Sequence, residues 1–368
     1  MTLQEVARRR LINQHIAEPH FHSVKEVVHW MGAMQAQDYA MSKWAIGIRL
    51  PGSTETSIEA AIDKAEIIRT HLLRPTWHWV IKDDIYWMLK LSAPKIKASA
   101  KARHKELELT ESVLNKSNQI IEKALVGNNH LTREELMAIL ADAGIRTNDN
   151  RSSHIMLNAE LDGLVCSGIG RNKKHTYALL EERVPTVNNL NKEEALAALA
   201  LRYFGSHGPA TFKDFSWWSG LSAPEARKAF EIVKPSLVSE SIGTQTFWMR
   251  ASSDISDKAC KSSTLLLPAY DEFIISYADR SAALSTENQK KAISINGFFK
   301  PVIVVNGQIT GLWKRTIKKD KIFIEADLFK PHNKELRNLI AQACGSFGQF
   351  LNKEPEVCYA PEQRNLIL

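Results

Sequence analysis

No apolar run in this chain approaches the ~20 residues needed to span a bilayer, so a membrane-spanning protein is excluded. The N-terminus, MTLQEVARRR, carries three arginines with no apolar segment behind them, and a secretory signal is not expected. Cysteine is scarce. Cys166, Cys260, Cys344 and Cys358 lie far apart, with no C-x-x-C and no histidine at zinc spacing. A structural zinc is therefore not expected, whereas a reducing, cytoplasmic compartment is. Standard catalytic signatures are missing too: there is no Walker A loop, G-x-G-x-x-G, H-E-x-x-H or G-x-S-x-G.

What is present is ordinary globular composition. The chain has 368 residues, 44% of them hydrophobic and 24% charged, which excludes disorder and fibrous architecture. That length accommodates two or three domains at roughly 100–200 residues each. Lys and Arg number 48 against 41 Asp and Glu, a net charge of +7. The resulting pI near 9.1 is the footprint of a polyanion binder, although many soluble proteins share it.

Two stretches follow one script. Thr132 with Glu135 makes a capping box for a helix bearing Leu136, Ile139 and Leu140. Ser152 or Ser153 then caps a second helix, and Leu164-Val165 and Thr176–Leu179 flank a basic tip as a hairpin. The second stretch repeats this: a helix near Glu193–Phe204, a short helix capped by Thr211, and another capped by Ser222 with Pro224 in its first turn. A hairpin over Ser236–Met249 closes it. Helix, short helix, helix, hairpin is the order of a winged helix-turn-helix. The N-terminal hundred residues fit a third copy, with Ser23 capping a helix and Ile67–Ile81 alternating like strands. After Ser253 short strands predominate, including Thr264–Leu267, Phe273–Ser276 and Phe298–Val305. Asn306-Gly307 marks a tight hairpin, and a helix over Asn333–Leu351 follows. The expected fold is α+β: tandem winged helices, three in all, then a small C-terminal β-barrel with a terminal helix. The expected domains are 1–110, 111–185, 186–255 and 256–368.

The unusual segment is Gln35-Ala36-Gln37-Asp38, at the end of an apolar periodic helix. An extended backbone points Gln35 and Gln37 the same way. Two amides can hold one water between a carbonyl acceptor and an NH2 donor, and neither has to titrate. The alternative is a polar helix terminus whose amides cap backbone groups.

Five motifs occur in order: Gln35–Asp38; Arg69–Val80; Tyr203–Thr211 with Asp214–Leu221; Leu265–Glu272 with Asp279-Arg280; and Gly307–Trp313. The series resembles the bacterial winged helix DNA-binding domain-containing family that includes the AlkZ-type and YcaQ-type DNA glycosylases, over nearly the whole chain. The resemblance implies winged helices and a barrel wrapped around duplex DNA, and hydrolysis of the N-glycosidic bond of N7-alkylated guanine, crosslinked adducts included. It also implies a Gln–apolar–Gln motif in the AlkZ-like branch. Gln35-Ala36-Gln37 matches it, with Ala36 a small version of the middle position, so Gln35 and Gln37 are the expected catalytic pair. Asp38 is either electrostatic support or, as the preferred role, a structural hydrogen bond. No metal or organic cofactor is called for, and the partner is double-stranded, alkylated DNA bound by a monomer.

Arg74, Trp77 and His78 are expected near the lesion on a hairpin. Trp77 and Trp79 share a strand face, so a packed tryptophan stripe is the competing reading. Arg171, Lys173 and Lys174 fit either phosphate contacts or a solvated turn, and Lys314 and Arg315 offer a further basic strip. Asp271 and Arg280 suit a fixed ion pair or loop hydrogen bonds, and Trp313 belongs to the same architectural set. A non-catalytic winged-helix DNA-binding or regulatory protein is the alternative function, since fold alone does not establish activity.

Overall fold

The computed structural model describes residues 1–171, 174–185, 189–251 and 263–360, so Lys173 and Cys260 lie outside the described residues. The chain opens with α1 (Leu3–Asn13), capped by Thr2 and Glu5 in a reciprocal box. There follow α2 (Val24–Met31), β1 (Met34–Gln35), α3 (Tyr39–Gly47), α4 (Glu55–Asp63), β2 (Ile67–Leu72) and β3 (Thr76–Ile81). The three strands pair in the order β1-β3-β2, with Gln35 opposite His78 and Ile67 opposite Ile81. A long helix, α5 (Ile85–Glu106), leads away and carries the basic run Lys95–Lys105.

The same order then recurs. Helix α6 (Glu111–Leu125) precedes β4 (Leu131–Thr132), α7 (Arg133–Asp142), α8 (Arg151–Leu161), β5 (Val165–Ser167) and β6 (Thr176–Leu179), and the strands pair as β4-β6-β5. The cap of α8 is not a serine. Asn150 takes the position in a left-handed conformation, because Ser152 and Ser153 instead accept from the Arg133 guanidinium at 2.8 and 2.7 Å. After the one-turn α9 (Leu180–Arg183), the order appears once more as α10 (Lys192–Ser206), α11 (Phe212–Ser219), α12 (Ala223–Val233), β7 (Leu237–Ile242) and β8 (Gln245–Arg250). Here Ala210 stands where the short first strand stood, bridging Trp248 of β8.

The C-terminal part comprises β9 (Thr264–Leu267), α13 (Glu272–Ile275), α14 (Thr286–Ala292), β10 (Val302–Val305), β11 (Gln308–Lys318), β12 (Lys321–Leu328), α15 (Lys334–Leu351) and β13 (Glu354–Tyr359). Its five strands form an open sheet in the order β13-β12-β11-β10-β9, so the expected barrel does not close. The reason is that both faces are already covered. Val302 and Val304 pack with Val6, Ala7 and Leu11 of α1, while Ile303 and Trp313 face Trp44 of α3 and Cys344 and Phe347 of α15. Burial on both faces also explains the unbroken apolar run of β10. The expected strand at Phe273–Ser276 is the short helix α13, started by Asp271 accepting from Phe273 N at 2.9 Å.

The second unit keeps a core of its own, built from Leu114, Leu136, Leu140 and Ile155 with β5 and β6. The first and third share one, in which Ile68, Leu72 and Val80 meet Tyr203, Phe204, Phe215 and Trp218. Among the described residues no helix is long and apolar enough to cross a membrane.

Candidate active site

The Gln35–Asp38 segment sits where strand β1 turns into helix α3. Gly32 ends α2 at φ +77°, and β3 holds the segment through Ala36 N donating to Trp77 O at 2.7 Å. Asp38 caps α3, its carboxylate accepting from Met41 N at 3.0 Å, which is the structural hydrogen bond expected of it.

Gln35 is buried and held from two sides. Its backbone N donates to Glu272 Oε1 at 2.5 Å, and its Oε1 accepts from the Arg74 guanidinium at 2.8 Å. Glu272 is buried as well. Its Oε2 accepts from Trp218 Nε1 at 3.2 Å and from the Ser276 hydroxyl, with His207 Nε2 3.5 Å away. Burial alone raises the pKa of this carboxyl, but His207, Ser276 and Arg74 outweigh it and hold it down to about 2. A fixed anion therefore stands behind Gln35. His207 stacks on Tyr203 with ring centroids 4.9 Å apart, and its Nδ1 meets Ser206 Oγ at 2.7 Å.

Arg74 lies just past β2, and α11 fixes its place. Gly220, at φ +64°, ends that helix so close to the hairpin tip that a Cβ there would lie 2.1 Å from Leu73 O. Only glycine fits both the backbone conformation and the approach. Arg74 also donates to Trp218 O at 3.3 Å.

Gln37 differs from its neighbour. It is exposed, and among the described residues no hydrogen bond joins it to Gln35. The motif's backbone is braced by Arg69, whose Nε donates to Ala36 O at 3.0 Å while its guanidinium lies 4.4 Å from the Trp77 ring. Glu160, buried, accepts from His71 N at 2.8 Å and from Trp77 Nε1 at 3.3 Å.

The expected DNA-contacting residues divide. Trp77 is half-buried, whereas Trp79 is core, donating to Ser42 Oγ at 3.0 Å. His78 is fully buried, which corrects its assignment to the DNA surface. Its Nδ1 faces Thr76 O at 2.9 Å, and burial with Arg74 nearby pushes its pKa to about 3. Arg171 and Lys174 are exposed but paired with Glu135 and Glu134 of α7. Lys314, exposed, lies 3.8 Å from Glu325. Arg315, half-buried over Phe347, lines a cleft of about 450 Å3 together with Asp38. Asp271 is ion-paired with Arg49 at 2.9 and 3.0 Å rather than with Arg280. Arg280 instead donates to Ile274 O at 2.9 Å and Ala278 O at 3.3 Å, the loop-bond alternative. Trp313 is buried, donating to Leu267 O at 2.8 Å. Among the described residues no group of His, Cys, Asp or Glu converges as a metal would require.

Arg69 and Glu272 stand at the ends of two of the five motifs, yet no role was expected of either, and Glu160 lies outside all five. A further signal for Glu272 was an acid placed directly against the apolar run Phe273-Ile274-Ile275.

The family described as DNA glycosylase AlkZ-like matches residues 28–350. A curated relative from Streptomyces sahachiroi, an interstrand DNA cross-link repair glycosylase, is 22% identical over 313 residues, covering 79% of this chain and 82% of that protein. The solved structure of the Streptomyces sahachiroi DNA glycosylase AlkZ has the same fold: TM-score 0.79, 18% identity, 98% of this chain and 100% of the other covered. With a family match across most of its length and a fold shared end to end, this chain belongs to the AlkZ-like DNA glycosylases, and it is a DNA repair enzyme.

Proposed function

We propose that this glycosylase hydrolyses the N-glycosidic bond of N7-alkylated guanine in duplex DNA, with Gln35 and Gln37 holding the attacking water. N7-alkylation leaves the purine positively charged, so it departs as a neutral base without a general acid. The enzyme then has to place a water beneath the anomeric carbon and stabilise an oxocarbenium-like sugar.

The observation that carries this reading is the clamp on Gln35. Arg74 has only donors to offer, so the Gln35 amide turns its oxygen toward it and keeps its NH2 free to donate to a water oxygen. The exposed carbonyl of Gln37 then accepts a hydrogen of that water, whose proton is released to solvent after attack. Glu272 adds a fixed negative charge, partly offset by Arg74, that favours a developing sugar cation.

The three units that share one element order and one strand order are read as winged helices within domains 1–110, 111–185 and 186–255, followed by a sheet domain over 256–368. A monomer in the cytoplasm presents them to one duplex. Arg74, Trp77, Arg171, Lys173, Lys174, Lys314 and Arg315 supply the phosphate and base contacts. The Streptomyces relative, an interstrand DNA cross-link repair glycosylase, adds interstrand crosslinks to the candidate substrates.

The test uses a labelled duplex with one N7-methylguanine and a second with a bulky N7 adduct, each followed by alkali. Strand breaks above spontaneous depurination with the wild type, lost in Gln35→Ala/Gln37→Ala, are expected. Breaks that persist in the double variant would overturn the assignment of the pair.

A further inference from the structure

Between α14 and β10 the chain makes a small hairpin whose tip has no structural task. Ile293 and Phe299 bridge at its base, Ser294 N donates to Phe298 O at 3.0 Å, and Gly297 N donates to Ser294 O at 3.0 Å. Ala292 and Phe299 anchor the base in the core, and Gly297 takes φ +73° to close the turn. The tip is therefore stiff. At its apex Ile295 is fully exposed, at 105% of its reference area, and Phe298 beside it is 45% exposed. A turn position ordinarily takes a small polar residue, and a β-branched apolar one there contributes nothing to folding.

The surroundings say what this tip meets. Phe298 stacks edge-on against Tyr270 at 5.4 Å and lines the same 450 Å3 cleft as Asp38, one residue from Gln37. Lys300, Lys314 and Arg315 bring three cations to that cleft, against the carboxylates of Asp38, Glu325 and Asp327. Lys290 and Lys291 lie just before the hairpin. An exposed apolar point, with Lys290 and Lys291 before it and a cleft of mixed charge reaching Asp38 behind it, matches the way apolar side chains enter DNA between base steps while nearby cations hold phosphates.

We propose that Ile295, backed by Phe298, is a wedge that enters the duplex beside the damaged nucleotide and separates it from its stacked neighbour. The proposal rests on the reading of alkylated duplex DNA as substrate. It assigns Ile295 a positioning role, since it touches the neighbouring base step and not the scissile bond.

The test pairs the full chain with a duplex carrying N7-methylguanine made resistant to hydrolysis by a 2′-fluoro sugar, with 2-aminopurine as the adjacent base. Binding of the wild type is expected to raise 2-aminopurine fluorescence. Ile295→Ala should remove most of that rise and slow single-turnover excision of ordinary N7-methylguanine about tenfold, with affinity for undamaged duplex changed less than about twofold. Ile295→Leu should restore both, and Phe298→Ala should fall between. Equal fluorescence in wild type and Ile295→Ala would overturn the wedge, as would normal excision with no rise at all. A rise that depends on Ile295 in a protein that excises neither adduct keeps the wedge and sinks the excision reading instead. A wild-type dimer in sedimentation that Ile295→Ala disperses would reassign the tip to self-association and overturn the proposal.

Discussion

The junction at Gln35–Asp38 and its two equivalents, Leu131–Thr132 and Ala210–Thr211, have the same topology but satisfy their backbones differently. Thr132 exchanges hydrogen bonds with Glu135, at 3.3 and 2.7 Å, and Thr211 does the same with Asp214, at 3.1 and 2.9 Å. Both are closed boxes three residues long. At the first junction the third helical position is Met41, which cannot reciprocate, so Asp38 caps α3 alone. Three residues before that cap, the N–H of Gln35 is met by Glu272, 237 residues further on. Two junctions close a local box, although Asp214 also accepts from Ala278 N at 2.9 Å; the first forms no box, and a remote carboxylate serves its backbone. That difference leaves the first junction's side chains available for chemistry, at the expense of local stability.

Removing the remote partner should break the comparison hardest. Glu272→Ala leaves Gln35 N, Trp218 Nε1 and the Ser276 hydroxyl without their acceptor. It should cost about 3–5 kcal/mol in urea denaturation and abolish excision of N7-methylguanine. Gln37→Ala tests the opposite corner. Its side chain is exposed, so stability should move by no more than about 0.5 kcal/mol while excision falls about 100-fold. Equal losses in both quantities would contradict the division of labour between a held amide and a free one.

Gly220→Ala should destabilise by about 2 kcal/mol, from a strained left-handed alanine and the clash with Leu73 O. Because Leu73 precedes Arg74, excision should drop further than stability alone explains. Thr132→Ala opens a local box in a unit with its own core. It should cost about 1 kcal/mol of thermal stability and leave excision unchanged, and a large loss of excision would show that the second unit couples to the site.

The last test varies pH rather than sequence. His78 is held neutral, at about 3 against an ordinary 6.5. Between those values the unfolded chain binds a proton that the folded chain refuses, so stability is full above pH 6.5 and declines toward pH 3. Glu272, depressed from 4.5 to about 2, adds a second loss between those two values. Urea midpoints measured against pH should fall first below 6.5, and His78→Gln should make that first segment shallower, with His15 and His175, both held down to about 4 by burial, supplying the rest.

The local devices were legible in the sequence. Thr132 with Glu135, Ser23, Thr211 and Ser222 cap the helices they were expected to cap, and Asn306-Gly307 sets Val305 opposite Gln308. Such signals act within about four residues, the range over which backbone groups and a short side chain meet. Legibility failed where a local preference was overruled. Ser152 and Ser153 were drawn away by Arg133, and Phe273-Ile274-Ile275 has no periodicity because its surroundings bury it on all sides. Strand β13, an edge strand containing Pro355, has little alternation to reveal it.

The site divides the same way. Gln35, Ala36, Gln37 and Asp38 stand together in the chain, and a motif that short can be read from residue order alone. Sequence by itself determined the caps, the hairpins, the repeated element order and the placement of two amides two residues apart. Only the tertiary structure decided that one amide is clamped and the other free, that His78 is core, that the five-stranded sheet stays open between two layers of helix, and that Asp271 pairs with Arg49. Those outcomes depend on contacts between residues from 39 to more than 200 positions apart. Such contacts are set by how buried faces pack and by where a buried charge finds its partner, and no pattern within a few residues encodes them.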